Sequence, residues 1–255
     1  MATSYEEIAE LIEHRVPVVI ATALRPDAFL GRRAVLARGE LLGSFDDAGL
    51  DAALRERASA LLRAGSSKTL AVKAADGQEV ELFLDVYPSP PALFIFGGVH
   101  VGIPLTRFGK MLGFRVHVID PRGVFATRER FAEADELAIE HPDDYLDHTT
   151  LDESSYVVVL THDPKHDEPI IKRVVDLPVA YIGAIGSRKT NAERNQRLLA
   201  QGVSQEKLDR VHAPIGLDIG SQEPGEMALA IIAEVVAARH GKSGRSLREL
   251  AAAAR

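Results

Sequence analysis

ALFIFGGVHVGIPLTRFGKMLGFRVHVID, residues 92–120, is an apolar run that stops on glycines, an amphipathic stretch, and a second apolar run that closes on an acid. Leu93 to Phe96 is short and wholly apolar, as a central parallel strand covered on both faces must be. Val101, Leu105, Phe108 and Leu112 recur at spacings of three and four, which predicts a helix over 101–112 ended by Gly113. Val116, Val118 and Ile119 supply the next strand, with Asp120 at its carboxyl end. A β-α-β unit of this kind offers the unpaired N–H groups of the helix start to a phosphate, and the acid after the second strand takes a ribose hydroxyl pair. On that pattern Gly97, Gly98 and Gly102 make the turn and Asp120 is the ribose acid. Counted as G-x-G-x-x-G from Gly97, the middle glycine is Val99, a branched residue where backbone should approach the phosphates. The loop alone therefore reads equally as a ligand site or as a tight turn that binds nothing.

Downstream, strands alternate with helices. Strands are expected near 136–139, at 156–160 and at 179–182, and helices at 169–176, 187–199 and from about 223 onward, which implies a parallel sheet with crossover helices. Upstream the pattern changes. Ser4 can cap a helix carrying Ile8, Leu11 and Ile12, followed by a strand at 16–21, a hairpin of 33–37 with 40–44 through Arg38-Gly39, a helix at 53–63, and strands 68–73 and 80–86 around Asp76-Gly77. Between the two patterns, Tyr87-Pro88-Ser89-Pro90-Pro91 can join neither helix nor central strand. The expected fold is α/β: a small amino-terminal α+β domain over 1–87, then a Rossmann-type doubly wound parallel sheet domain over 91–255.

The 255 residues carry a formal net charge of -7 and no basic run with interleaved aromatics, which argues against a nucleic-acid partner. The longest apolar runs are strand-sized, so no bilayer span is expected, and MATSYEEIAE is acidic where a signal peptide is basic; a cytoplasmic protein is the expectation. With no cysteine, the chain has no disulfide, no thiolate metal ligand and no thiol of its own for sulfur relay. The alanine-rich tail 251–254 finishes a helix begun near Ser246.

In an open parallel sheet, ligands collect at the carboxyl ends of the strands. Four loops there are polar: GGVHVG, DPRG, THDPKHD and GAIGSRKT. His100 and Arg122 can approach a phosphate or a heterocycle, and Ser187, Arg188 and Lys189 open a helix behind Gly183 and Gly186, a second anion site or simply a capped, solvated first turn. His162, Asp163, His166 and Asp167 invite a metal reading, but Pro164 is expected to prevent a helix from presenting both histidines on one face, and no metal is assigned. Asp218 lies between Gly216 and Gly220 and either faces a ligand or bonds its own loop.

Together, GGVHVG, VIDPRGVFATRERF, THD, YIGAIGSR and HAPIGLDIGSQEPGEMALAIIAE resemble, in order and spacing, the carboxyl-terminal Rossmann domain of the xanthine dehydrogenase accessory family (XdhC/CoxI), over about residues 91–239. The resemblance implies a non-catalytic chaperone that binds molybdopterin or the molybdenum cofactor, protects it during sulfuration and delivers it to a xanthine dehydrogenase-like molybdoenzyme, with a cysteine desulfurase as a further partner. With the loops read above, the expected cofactor contacts are Gly97, Gly98, His100, Gly102, Asp120, Arg122, His162, Asp163, Gly183, Gly186, Ser187, Arg188, Lys189 and Asp218. Through VPVVIATAL and GELLGS the likeness extends more weakly into the first domain. There the family reads serine-glycine-glycine-cysteine-leucine-glutamate and this chain reads Asp46-Asp47-Ala48-Gly49-Leu50-Asp51, so Gly49 stands at the cysteine position; Val99 stands where the family commonly has glycine. Without the thiol, phosphate contacts through Arg122, Arg188 and Lys189 are expected in its place. Two other readings stand beside this one: an NAD(P)-dependent oxidoreductase, with Asp120 favouring NAD, and a diverged Rossmann module that lost its ligand. The amino-terminal sheet and the helical tail could support a homodimer.

Overall fold

A computed structural model describes residues 5–14, 16–161 and 163–253, the side chains of residues 59, 63, 64 and 253 excepted. Ser4, His162 and Ala254 lie outside the described residues. The chain divides into two compact units, Met1–Pro90 and Pro91–Arg255.

The first unit runs α1 (Tyr5–Glu13), β1 (Val18–Arg25), β2 (Arg33–Ala37), β3 (Glu40–Leu42), α2 (Ala48–Ala64), β4 (Lys68–Lys73) and β5 (Glu79–Tyr87). Its five strands form one antiparallel sheet in the order β3-β2-β1-β5-β4. Alternation decides the faces. Val19, Ala21 and Ala23 of β1 and Val80, Leu82, Leu84 and Val86 of β5 point to α2, where Leu50, Leu54 and Leu61 close the core. The opposite face is covered in part by Ile8 of α1 against Val18, Val35 and Ala37. The α2 helix starts five residues before the expected 53, because Asp47 caps it by accepting the Leu50 N–H at 3.0 Å.

The second unit runs β6 (Ala92–Phe96), α3 (Gly102–Met111), β7 (Arg115–Ile119), β8 (Glu136–Ala138), α4 (Pro142–His148), β9 (Ser155–Val159), α5 (Pro164–Val174), β10 (Tyr181–Ala184), α6 (Arg188–Ala200), α7 (Gln205–Leu208), β11 (Val211–His212), α8 (Pro224–Arg239) and α9 (Leu247–Ala253). Its six strands are all parallel, in the order β11-β10-β9-β6-β7-β8. Starting from β8, that is the third, second, first, fourth, fifth and sixth strand of the unit, so the order reverses between β6 and β9. Residues of β6 and β9 alternate between two cores: Phe94, Phe96, Val157 and Val159 face α4, α5 and α6, while Leu93, Ile95 and Val158 face α3 and α8. Each such side chain removed from water contributes about 1.5–3 kcal/mol, and burial on both faces explains their unbroken apolar runs.

Two expectations are corrected here. The fifth helix begins at Pro164, not 169: proline occupies the first helical position, where no N–H is required, and Asp163 caps it by accepting from the Lys165 N–H at 3.0 Å. Pro164 therefore opens the helix, which carries His166 and Asp167, while His162 lies outside the described residues. Gly183, expected in the loop after Ile182, is a strand residue of β10. The segment after β11 returns across this strand, Ile215 donating its N–H to the Ala184 carbonyl at 3.1 Å, and a Cβ on Gly183 would lie 2.4 Å from the Ile215 side chain.

Candidate functional site

The carboxyl ends of β7, β6, β9 and β10 lie side by side, and the loops that leave them form one rim. Gly97 follows β6 at φ +122°, a conformation that side chains rarely adopt, and a Cβ there would sit 3.1–3.2 Å from Thr161 and the Leu160 carbonyl carbon beyond β9. The turn is thus pressed against the neighbouring strand at the switch point. Gly98 is buried behind it, His100 is exposed at the tip, and Gly102 is the buried first residue of α3. Val99 is half-buried and packs on the core between the sheet and α3. The glycines serve the turn and its packing, and the position that would open backbone to a phosphate carries an isopropyl group.

Asp120 is the electrostatic centre of the rim. Its side chain is 0% exposed, and four N–H groups converge on it: Gly98 N at 2.7 Å, Arg122 N at 2.9 Å, and Arg122 Nε and Nη2 at 2.9 and 2.8 Å. Burial alone would raise this carboxyl, but the Arg122 guanidinium and the two backbone N–H groups hold it below the usual carboxylate range. An ionised carboxylate has about four acceptor positions. All are taken by the protein, so the acid after the second strand fixes the glycine turn and Arg122 and presents no oxygen to a ribose. Arg122 is clamped on one edge, stacks 4.4 Å over the Phe125 ring and is 46% exposed, which leaves its outer N–H groups facing solvent. The α5 cap Asp163 is close enough to add to its charge stabilisation.

At the tip of β10, Gly186 turns into Ser187, whose hydroxyl oxygen accepts the Thr190 N–H at 3.1 Å and caps α6. Arg188 and Lys189 are exposed in the first turn, Lys189 with an i,i+4 partner in Glu193 at 3.9 Å. Among the described helices, α3 and α6 are the two with no acid in the first turn; the others carry Asp or Glu there. An acid would neutralise the positive end of the helix. Both acid-free starts open on the same sheet edge. The rim therefore brings together Gly97, Gly98, Asp120, Arg122, Asp163, Gly186 and Ser187, and Asp218 is exposed on the segment between β11 and α8 that Ile215 joins to the end of β10.

That segment is held by Glu234 of α8, which accepts Tyr181 Oη at 2.6 Å and Gly216 N at 2.8 Å and pairs with His212 Nδ1 at 3.2 Å. Burial pushes the Glu234 carboxyl up, but His212, Tyr181 and Gly216 outweigh it and hold it below its ordinary value. A depressed carboxyl stabilises the fold above its unfolded pKa, about 4.3, and loses that contribution as pH falls through the lower folded value. Urea unfolding at pH 7 and pH 3.5 should therefore show Glu234→Gln losing less stability on acidification than the parent; equal losses would contradict this role.

The sequence offered Asp167 as a candidate metal ligand only and did not single out Thr161, Asn191 and Arg194; all four are buried together between the β9 and β10 tips. A signal was present: Asn191, Arg194 and Leu198 recur at i, i+3 and i+7, one inward face of α6.

A parallel sheet in this order, with a positive-φ glycine turn at the point where the order reverses, defines the Rossmann class of ligand-binding domains. The chain belongs to one family of that class: a family model described as the XdhC Rossmann domain matches residues 93–235. Among curated proteins it is 31% identical over 162 residues to a Bacillus subtilis protein named as a probable xanthine dehydrogenase subunit, covering 64% of this chain and 47% of the relative. It is 24% identical over 266 residues to the uncharacterized protein YqeB of Escherichia coli, covering 94% and 47%. It is 30% identical over 89 residues to the molybdenum cofactor insertion chaperone PaoD of Escherichia coli, covering 35% and 28%. The chain thus spans about half the length of the first two and less of the third. A crystal structure titled as a xanthine dehydrogenase from Bacillus halodurans shares the fold, with TM-score 0.55 and 19% identity over 93% of this chain and 97% of that one. Among the described residues, no helix is long and apolar enough to cross a membrane.

Proposed function

We propose that the chain binds the molybdenum cofactor by its phosphate and pterin edge at the strand-tip rim, and delivers it to a xanthine dehydrogenase-type enzyme without turning it over. The observation that carries this reading is Arg122, a guanidinium immobilised by a buried carboxylate with its remaining N–H groups turned outward. Such a group binds an oxyanion with little ordering cost. The acid-free starts of α3 and α6 add favourable potential for a phosphate along the same edge. Kinship with a protein named as a molybdenum cofactor insertion chaperone favours this cargo among phosphate-bearing ligands.

The residues fit the organic part of the cofactor and not a sulfur contact to its metal. The chain has no cysteine, and at Gly49 a Cβ would lie 2.7 Å from the Ala75 backbone nitrogen, so nothing here supplies a thiolate. Retention would rest on hydrogen bonds and charge, which suits a protein that must release its cargo. An NAD(P) ligand has less support, since Asp120 is saturated by Gly98 and Arg122.

The test is titration with molybdenum cofactor released from a molybdoenzyme, followed by pterin fluorescence. Arg122→Lys keeps a positive partner for Asp120 but loses the planar fork, and should weaken binding about tenfold or more while the protein stays folded. Arg188→Ala removes an exposed charge and should cost only about threefold, an effect that fades at high salt. A lysine variant that binds as tightly as the parent would remove the central contact of this proposal.

A further inference from the structure

Behind the rim lies a charged cluster that the proposed binding does not use. Arg194 of α6 is 2% exposed and poorly coordinated. Its Nη2 donates to Asn191 Oδ1, its Nη1 reaches the Ile185 carbonyl at 3.4 Å and lies 3.8 Å from an Asp167 oxygen, and its buried Nε has no acceptor. A buried guanidinium with an unmade hydrogen bond is a poor source of stability; a well-packed apolar side chain would serve at least as well. The ends of the cluster suggest a different use. Asp167 accepts the Thr161 hydroxyl, and Thr161 is the residue on which the Gly97 turn rests. Asn191 Nδ2 donates at 3.0 Å to the carbonyl of Gly186, immediately before the Ser187 cap. The chain Thr161, Asp167, Arg194, Asn191, Gly186 therefore runs continuously from the tip of β9 to the tip of β10.

We propose that Arg194 is a positioning residue, which through Asp167 and Asn191 fixes the start of α6 relative to the switch-point turn. It touches no ligand. It sets the separation of two walls of the rim, so that a group gripped at one wall meets correctly placed N–H groups at the other. The inference rests on the rim being the binding site proposed above. A merely structural arginine would act locally, whereas this one must act at both ends.

Thr161→Val tests the relay from its far end, removing one hydroxyl at nearly constant volume. Amide hydrogen exchange followed by mass spectrometry should show residues 186–191 exchanging at least tenfold faster, although the substitution sits on another strand tip. Faster exchange confined to residues 161–167 would overturn the proposal. Arg194→Lys should loosen both ends; should that variant not fold, Thr161→Val still decides. Titration with released molybdenum cofactor adds a functional readout, with Thr161→Val expected to bind about tenfold more weakly. Binding within twofold of the parent would overturn the positioning role. A parent that binds no cofactor would refute the proposed function instead, and the exchange measurement would still settle the coupling.

Discussion

Gly49→Cys is expected to lower the melting temperature of the amino-terminal unit steeply. Gly49 lies in the first turn of α2, and a Cβ there would sit 2.7 Å from Ala75 N, 2.9 Å from Ala74 C and 3.1 Å from Lys73 O. These are backbone atoms at the end of β4 and in the turn after it, which cannot swing aside as a side chain can. Asp47 draws that turn down further, its carboxylate accepting the Ala75 N–H at 3.0 and 3.1 Å while it caps the helix. Overpacking against fixed backbone costs about 3 kcal/mol, more than the helix propensity gained by replacing glycine. For a unit of this size that lowers the melting temperature by on the order of 15 °C. Gly225→Ala is the control: nothing lies within 4 Å of its Cβ position, and its melting temperature should stay level or rise slightly. A cysteine variant melting within about 3 °C of the parent would show that the contact can relax. The backbone around Gly49 therefore leaves no room for a side chain at this position.

Asp120→Ala carries the second large effect, in the other unit. Removing the carboxylate leaves the Gly98 and Arg122 N–H groups without their acceptor, and releases the guanidinium it holds. Breaking a buried pair from one side costs about 3–5 kcal/mol, somewhat less here because Arg122 can turn into water. Chemical denaturation should show a loss of about 3 kcal/mol, and cofactor titration a loss of binding exceeding that of Arg122→Lys. Asp120→Asn should fall between, since the amide oxygen accepts part of the set but its NH₂ opposes the guanidinium. An alanine variant as stable as the parent would mean that the carboxylate does not organise the turn.

The β-α-β unit at 92–120 was legible because its spacings change from strand to helix and back within one stretch, and the α/β class followed from alternation beyond the prolines. The order of the six strands was not, because pairing between distant strands leaves no local mark. The start of α5 was misplaced because proline reads alike as a breaker and as the first residue of a helix, and only the Asp163 cap beside Pro164 separates the two. Gly183 misled because a glycine beside an apolar run looks like a loop, whereas here it makes room for Ile215 from beyond β11. The seven residues of α4 were passed over, too few to establish a period. At the site, residue types were readable and roles were not. Asp120 was placed correctly at its strand end, yet its use depends on Gly98 and Arg122 folding back onto it. The Arg194 cluster lay in NAERNQR, a string whose polarity suggests solvent while Asn191 and Arg194 face inward.

The margins of the parallel sheet, β8 and β11, are three and two residues long, and β4 at one margin of the antiparallel sheet begins and ends with lysine. An unpaired strand is a template on which another molecule can add, and brevity and like charge are two ways of spoiling it. Stored at high concentration, this protein should resist the self-templated stacking that builds fibrils.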